Sequence, residues 1–336
     1  MNEYITLDYG SGGKLTHQLI NDLFYRYFRN DILLDGGDSA VFKIQNGRMA
    51  FTTDSYVISP IFFKGGNIGK LSVCGTINDL TVSGACPQYI SCGMIIEEGF
   101  SMRELELIVK SMADTAKEAG VSIVTGDTKV VGKGCADRIF INTSGIGLIP
   151  EDVDLGTKNI KAGDKIILSG TMGDHGIAIL MERENFKIQS HVTSDCAPLN
   201  LLLEPVLKKF PHAIRVMRDP TRGGVATTLN ELIADSCLSM ELYEDSLPIK
   251  DEVKGICEML GMDPLYMANE GKVLIIADGE NADSIIKILK ESPYGKDAAI
   301  IGTVTAIYPN KVYMRTLAGG KRMIDMLASD QLPRIC

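Results

Sequence analysis

Thr125-Gly126-Asp127-Thr128-Lys129 follows directly on the apolar run Val121-Ser122-Ile123-Val124. A short apolar run bounded by turn residues predicts a buried strand. A Gly-Asp pair at its end predicts a turn where backbone N–H groups approach an anion and a carboxylate faces a cation. One such turn is commonplace. Here the pattern recurs. Gly36-Gly37-Asp38-Ser39-Ala40 is one case, and Thr52-Thr53-Asp54-Ser55, where the strand Met49-Ala50-Phe51-Thr52-Thr53 delivers Asp54 at its end, is another. Asn78-Asp79 adds a carboxylate. The second half contributes Ser169-Gly170-Thr171-Met172-Gly173-Asp174-His175-Gly176 and Arg218-Asp219-Pro220-Thr221-Arg222-Gly223-Gly224. Six Asp-bearing stretches, several at the ends of apolar strands, read most economically as carboxylates converging on one Mg-nucleotide. Mg²⁺ takes a few carboxylates plus phosphate oxygens and water. Asp38, Asp54, Asp79 and Asp127 are the metal candidates, and Lys14 and Lys129 supply phosphate charge.

The two common phosphate loops fail. Gly65-Gly66-Asn67-Ile68-Gly69-Lys70 lacks the P-loop spacing, and Leu71 stands where a hydroxyl residue is needed. Gly10-Ser11-Gly12-Gly13-Lys14 breaks the dinucleotide fingerprint at Leu15. A Walker ATPase and a Rossmann dehydrogenase are therefore disfavoured.

Outward from these stretches, leucines and aromatics at three- and four-residue spacing predict a helix over 14–28. A helix starts near Asn67, and its small residues Ser72, Gly75 and Ser83 predict close packing. Ser101 and Glu104 form a capping box for a helix that Gly120 stops. Residues 139–142 read as a strand. The polar, turn-rich segment 150–164 marks a boundary. Beyond it come a strand at 165–169, a glycine turn with a helix, a helix at 221–234, a strand at 273–277, a helix at 283–290 and a strand at 298–305. The pattern is α/β and α+β, with domains at 1–155 and 156–327 and a tail at 328–336.

The chain has 336 residues, 45% hydrophobic and 23% charged, with net charge −9. That excludes global disorder and argues against a non-specific nucleic-acid binder or a polybasic membrane binder. No apolar run reaches 18 residues. Met1-Asn2-Glu3-Tyr4 does not open a signal peptide, so a cytoplasmic location is expected. Eight cysteines show no metal or C-x-x-C spacing, and seven are expected to be buried, reduced thiols. His175 falls in a glycine turn close to the expected site, while His17, His191 and His212 read as surface or satisfied core residues. Glu270 precedes an apolar strand. It reads either as an exposed turn acid or as a general base. Cys336 is the last residue, after Pro333-Arg334-Ile335. It reads either as a frayed end or as a carrier thiol on a mobile arm, with Arg334 as the nearby cation.

Together these segments resemble the HypE family of hydrogenase maturation proteins, from Gly10-Ser11-Gly12-Gly13 to the terminal Pro333-Arg334-Ile335-Cys336. The resemblance implies a two-domain aminoimidazole ribonucleotide synthetase-like fold whose N-terminal domain pairs in a homodimer, with ATP and Mg²⁺ bound near that interface. It implies a reaction in which the partner HypF loads a carbamoyl group onto Cys336. ATP-driven dehydration gives an S-cyanate, and the cyanide passes to iron on a HypC–HypD complex for the [NiFe] hydrogenase centre. The matching segments add Asn67, Asp174 and Asp219 to the nucleotide contacts. Lys129 becomes the stabiliser of the transferred phosphoryl group and Glu270 the base. The alternatives are a selenophosphate synthetase-like kinase, which would need a Cys in the first glycine-rich loop where none precedes Cys74, and a non-catalytic ATP-binding scaffold.

Overall fold

The computed structural model describes residues 3–10, 14–34, 47–183, 190–234, 236–327 and 334–336. Asp38, the loop at 36–40 and most of the tail lie outside the described residues, as does the side chain of Lys14.

The first helical segment runs as α1 (Lys14–Leu19), a π turn (Ile20–Phe24) and α2 (Tyr25–Phe28), followed by α3 (Asp31–Leu34). Then come β1 (Arg48–Tyr56), the small hairpin β2 (Phe62–Phe63) and β3 (Gly66–Asn67), and α4 (Ile68–Val82). The first half closes with β4 (Cys86–Glu97), α5 (Met102–Glu118), β5 (Ser122–Val131) and β6 (Ile139–Ile149). Its sheet has the order β1-β6-β4-β5, antiparallel except for the parallel β4/β5 pair. The Ser101 half of the expected capping box is present at α5, where its hydroxyl accepts from the Glu104 N–H, while the Glu104 carboxylate pairs with Arg138.

Helix α4 decides how this half packs. It is buried nearly all round, and its buried polar side chains Ser72, Thr76, Asn78 and Thr81 are hydrogen-bonded inside the core. A Cβ on Gly75 would sit 2.2 Å from the Tyr56 hydroxyl of β1, so only glycine lets the helix lie this close to the sheet. Side chains alternate along β1, so Thr52, Asp54 and Tyr56 point toward α4. Met49, Phe51, Thr53 and Ser55 point to the opposite face, which is open.

Three expected turn or strand-end positions lie inside regular elements. Asp54 lies inside β1, which continues to Tyr56. Residues 125–129 are not a turn but the middle of β5. Gly126 is needed because a Cβ there would lie 2.5 Å from the Cys92 carbonyl on the neighbouring strand. Asp79 likewise belongs to α4, not to a turn.

The second half runs β7 (Lys165–Leu168), α6 (Asp174–Arg183), α7 (Asn200–Lys209), β8 (Ile214–Arg218), α8 (Gly224–Ile233), β9 (Ser239–Tyr243) and α9 (Asp251–Leu260). It ends with β10 (Leu274–Ala277), α10 (Ala282–Leu289), β11 (Ala299–Thr305), β12 (Lys311–Arg315) and β13 (Lys321–Ile324). Its sheet has the order β13-β12-β9-β11-β7-β10-β8. Both faces of its central strands are covered. Ile166, Leu168, Leu274 and Ile276 pack with α8, whereas Ile167, Ile275 and Ala277 pack with α7 and α10. That explains the unbroken apolar runs in β7 and β10.

A third core joins α4 and α5 to α6 and α9, and it includes Ile335 near the end of the chain. Of the seven cysteines expected to be buried, Cys74, Cys92, Cys196 and Cys257 are, but Cys86, Cys135 and Cys237 are exposed.

Candidate active site

The site forms where α4 meets the loops that enter β10 and leave β8. The Thr52 hydroxyl donates to Asp79 Oδ2 at 2.8 Å, which fixes one carboxylate of α4 over β1. Asp54 lies close enough to Asp79 for the neighbouring negative charge to oppose its ionisation. Burial, then the Asp79 charge, pushes Asp54 up to about 6. Asp219, just beyond β8, is pushed up to about 7 by burial and then by Asp79.

Glu270 completes this group. It is 3% exposed, so the turn-acid expectation is wrong, and its Oε1 has no hydrogen-bond partner among the described residues. Burial first, then Cys196, Asp219, Asp195 and Asp54, holds its carboxyl well above the usual range. Asp195 builds the loop under it. The N–H groups of Glu270 and Gly271 donate to the two Asp195 oxygens at 3.1 and 3.2 Å, and Lys272 Nζ lies 3.3 Å away. A Cβ on Gly271 would fall 1.9 Å from the Asp195 carbonyl, so the close approach requires glycine. Asn269 ties in two more loops, accepting from Gly173 N–H at 2.7 Å and donating to the Pro220 carbonyl at 3.0 Å.

Cys336 enters this cluster. Arg222 Nε donates to its Sγ at 3.1 Å. Burial, then Glu270, raises the thiol to about 11, and Arg222 opposes that shift. The cation at the thiol is therefore Arg222 and not Arg334, whose guanidinium is spent on Asp137 and the Val57 carbonyl. The Val57 N–H donates to the Cys336 carbonyl at 3.2 Å. His175 Nε2 lies 2.8 Å from the Ile335 carbonyl. His191 and His212 are exposed.

Other expected residues lie apart. Asn67 caps α4, its oxygen accepting from Gly69 and Lys70 N–H groups. Asp174 is buried and bonded to Thr171 and Lys250. Asp127 and Lys129 pair with each other at 2.9 Å on the open face of the sheet. The β5 residue in register with Asp54, through Thr143 and Cys92, is Gly126, so Asp127 and Lys129 face away from Asp54. Arg222, Asp195 and Tyr56 are additions to the expected set. Arg222 lies in a glycine turn that the sequence marks, but its aim at the thiol has no local signal.

Among the described residues no group of three or more His, Cys, Asp or Glu side chains stands ready to hold a metal ion. Asp54 and Asp79 nevertheless fit Mg²⁺, which needs only one or two carboxylates beside phosphate oxygens and water. Two neighbouring carboxylates whose negative charges oppose each other are a place where a divalent cation is favoured. No helix among the described residues is long and apolar enough to cross a membrane.

The N-terminal domain of the AIR synthase related protein family matches residues 36–149, and its C-terminal domain matches residues 161–313. Over 335 residues the chain is 47% identical to the carbamoyl dehydratase HypE of Bradyrhizobium diazoefficiens, covering 100% of this chain and 97% of that protein. The crystal structure of a hydrogenase maturation protein HypE in complex with ATP aligns at TM-score 0.94 and 47% identity, covering 98% of this chain and 99% of that one. That of a HypE–HypF complex aligns at TM-score 0.81 and 47% identity, covering 92% and 99%.

Proposed function

Because the chain belongs to the HypE family of carbamoyl dehydratases, we propose that it converts an S-carbamoyl group on Cys336 into an S-cyanate at the expense of ATP. The product supplies cyanide for the iron of [NiFe] hydrogenase. The observation that carries this is the Cys336 thiol lying against Arg222, with Glu270 beside it.

The chemistry follows from these groups. A thiocarbamate oxygen leaves poorly. When that oxygen attacks the γ-phosphorus, ADP departs and the oxygen becomes part of a phosphate, which leaves well. The nitrogen gives up two protons, the C–O bond breaks, and the products are the nitrile, ADP and phosphate. Arg222 is placed to balance charge on the carbamoyl oxygen. Glu270 is the base for the nitrogen. Its carboxyl, raised by burial, suits a weakly acidic N–H better than an ordinary carboxylate does, and its Oε1 is uncommitted. Asp54 and Asp79, with Asp38 and Asp219, are the groups that would hold Mg²⁺ and nucleotide. The metal supplies charge neutralisation on the phosphates.

The docked thiol, at about 11, is not the thiolate that loading needs. Loading by HypF thus takes place with Cys336 outside the cluster, and dehydration with it inside. Delivery to a HypC–HypD complex also belongs to the outward position. Lys129 lies across the sheet from Asp54, on a face where Phe51 is 70%, Met49 48% and Ile95 44% exposed. A second copy covering that face makes a homodimer and brings Lys129 and Asp127 into an interface, where a phosphoryl role for Lys129 becomes possible. The test is intact-protein mass spectrometry with HypF, carbamoyl phosphate and ATP. The carbamoyl adduct should form and then lose one water only when ATP is present. An adduct that persists with ATP would refute dehydration and leave the scaffold reading.

A further inference from the structure

The last three residues make contacts that the chemistry above does not use. The Arg334 carbonyl accepts from the Ser59 N–H at 3.3 Å and from the Arg183 guanidinium, which also donates to the Ser59 carbonyl at 2.6 Å. The Ile335 carbonyl accepts from His175. The Ile335 side chain is buried in the core shared by α4, α5, α6 and α9. Arg334 itself stands at φ +56, a left-handed conformation that strains a non-glycine residue. The docked segment therefore needs restraint from outside itself.

We propose that His175 and Arg183, at the two ends of α6, are positioning residues that latch Cys336 in its inward place. They grip the Ile335 and Arg334 carbonyls while touching neither the thiol nor the carboxylates. The hydrogen-bond partners fix the state of the imidazole. A carbonyl oxygen can only accept, so Nε2 carries the proton. Nδ1 then accepts from the Ser194 hydroxyl at 2.8 Å, and the Ser194 oxygen accepts from the Cys196 N–H at 3.1 Å. Cys196 follows Asp195, which holds the Glu270 loop. One chain of contacts thus sets both the carrier and the base in register. Burial, which lowers the His175 pKa, keeps the ring neutral and this tautomer intact. Arg183 spans the two sides of the dock, because Ser59 belongs to the first half and Arg334 to the tail.

The consequence for the reaction rests on Cys336 being the carrier, but the latch itself does not, and the experiment separates the two. Iodoacetamide alkylation of Cys336 is followed by peptide mass mapping, which separates it from the exposed Cys86, Cys135 and Cys237. His175→Leu removes the donor while keeping bulk. Cys336 should then alkylate about fivefold faster, the worth of one neutral hydrogen bond. Arg183→Met removes a charged donor and should accelerate it about tenfold or more. His175→Gln keeps an N–H that reaches the same carbonyl and should restore slow labelling. In the coupled assay, His175→Leu should slow dehydration and leave loading by HypF unimpaired. Wild-type labelling rates in both His175→Leu and Arg183→Met would overturn the latch. So would equal acceleration in His175→Leu and His175→Gln, which would trace the effect to packing. Faster labelling in the two variants, together with a wild-type protein that itself forms no cyanate, would keep the latch and refute the proposed reaction instead.

Discussion

Asp219→Asn should stabilise the nucleotide-free protein, by an amount that grows with pH. The carboxyl stands at about 7 in the fold against 3.8 for the free side chain. The folded state therefore binds more protons than the unfolded state between those values. A group raised in this way contributes stability that is complete below about pH 4 and is lost as pH rises through 7. A tenfold difference in proton affinity between the folded and unfolded chain corresponds to about 1.36 kcal/mol, so a roughly thousandfold difference costs at most about 4 kcal/mol at pH 8. At pH 5, a little above the free side chain's 3.8, the cost is about 2 kcal/mol, and at pH 3 it vanishes. Asp219 is only partly buried, so water screens the group and about half of each figure is expected to remain. Asparagine keeps the size and stays neutral, so Asp219→Asn should gain about nothing at pH 3, about 1 kcal/mol at pH 5 and about 2 at pH 8. Urea unfolding followed by circular dichroism in EDTA, at the three pH values, measures it. A gain that is the same at pH 5 and pH 8, or a loss at both, would show that the carboxylate cluster does not hold this group protonated. The variant should at the same time bind Mg-ATP more weakly, because the charge that destabilises the empty site is what the cation needs.

Glu270→Gln should accept a carbamoyl group and bind ATP yet form at least a hundredfold less cyanate per unit time, the usual worth of a general base; wild-type cyanate formation would assign the base elsewhere. Cys336→Ala should melt within a few degrees of wild type and gain no carbamoyl mass with HypF. A carbamoyl adduct on that variant would place the carrier on another cysteine. Phe51→Asp should turn a dimer into a monomer by light scattering without lowering the melting temperature of the subunit; an unchanged mass would move the interface off the open sheet face.

The parts of the fold that local chemistry specifies were legible in the sequence. The Ser101 and Glu104 pair marks the start of α5 because a cap is a contact within one turn. The apolar runs of β7 and β10 are strands covered on both faces. Strand β4 escapes because Pro87 and Gly93 interrupt its alternation, and α7 because Pro205 lies inside it. The site was legible as a list of residues and not as an arrangement. Six Asp-bearing stretches suggested one convergent cluster, yet strand parity sends Asp127 and Lys129 to one face and Asp54 to the other. That parity was available in principle, since Thr125, Asp127 and Lys129 alternate with Gly126 and Thr128. Reading the segment as a turn concealed it. The thiol's cation could not have been read at all. Arg334 is two residues from Cys336 and points away, whereas Arg222 is 114 residues away and touches the sulfur. Sequence proximity favoured the wrong arginine because the dock is made by chain crossing: Val57 after β1, His175 and Arg183 of α6, and Arg222 before α8 meet the tail from three separate segments. A carrier thiol needs this construction. Contacts supplied only from within the tail would travel with it and give no preference for the inward position. Contacts supplied by the body of the protein hold the carrier while it is docked and are surrendered together when it leaves.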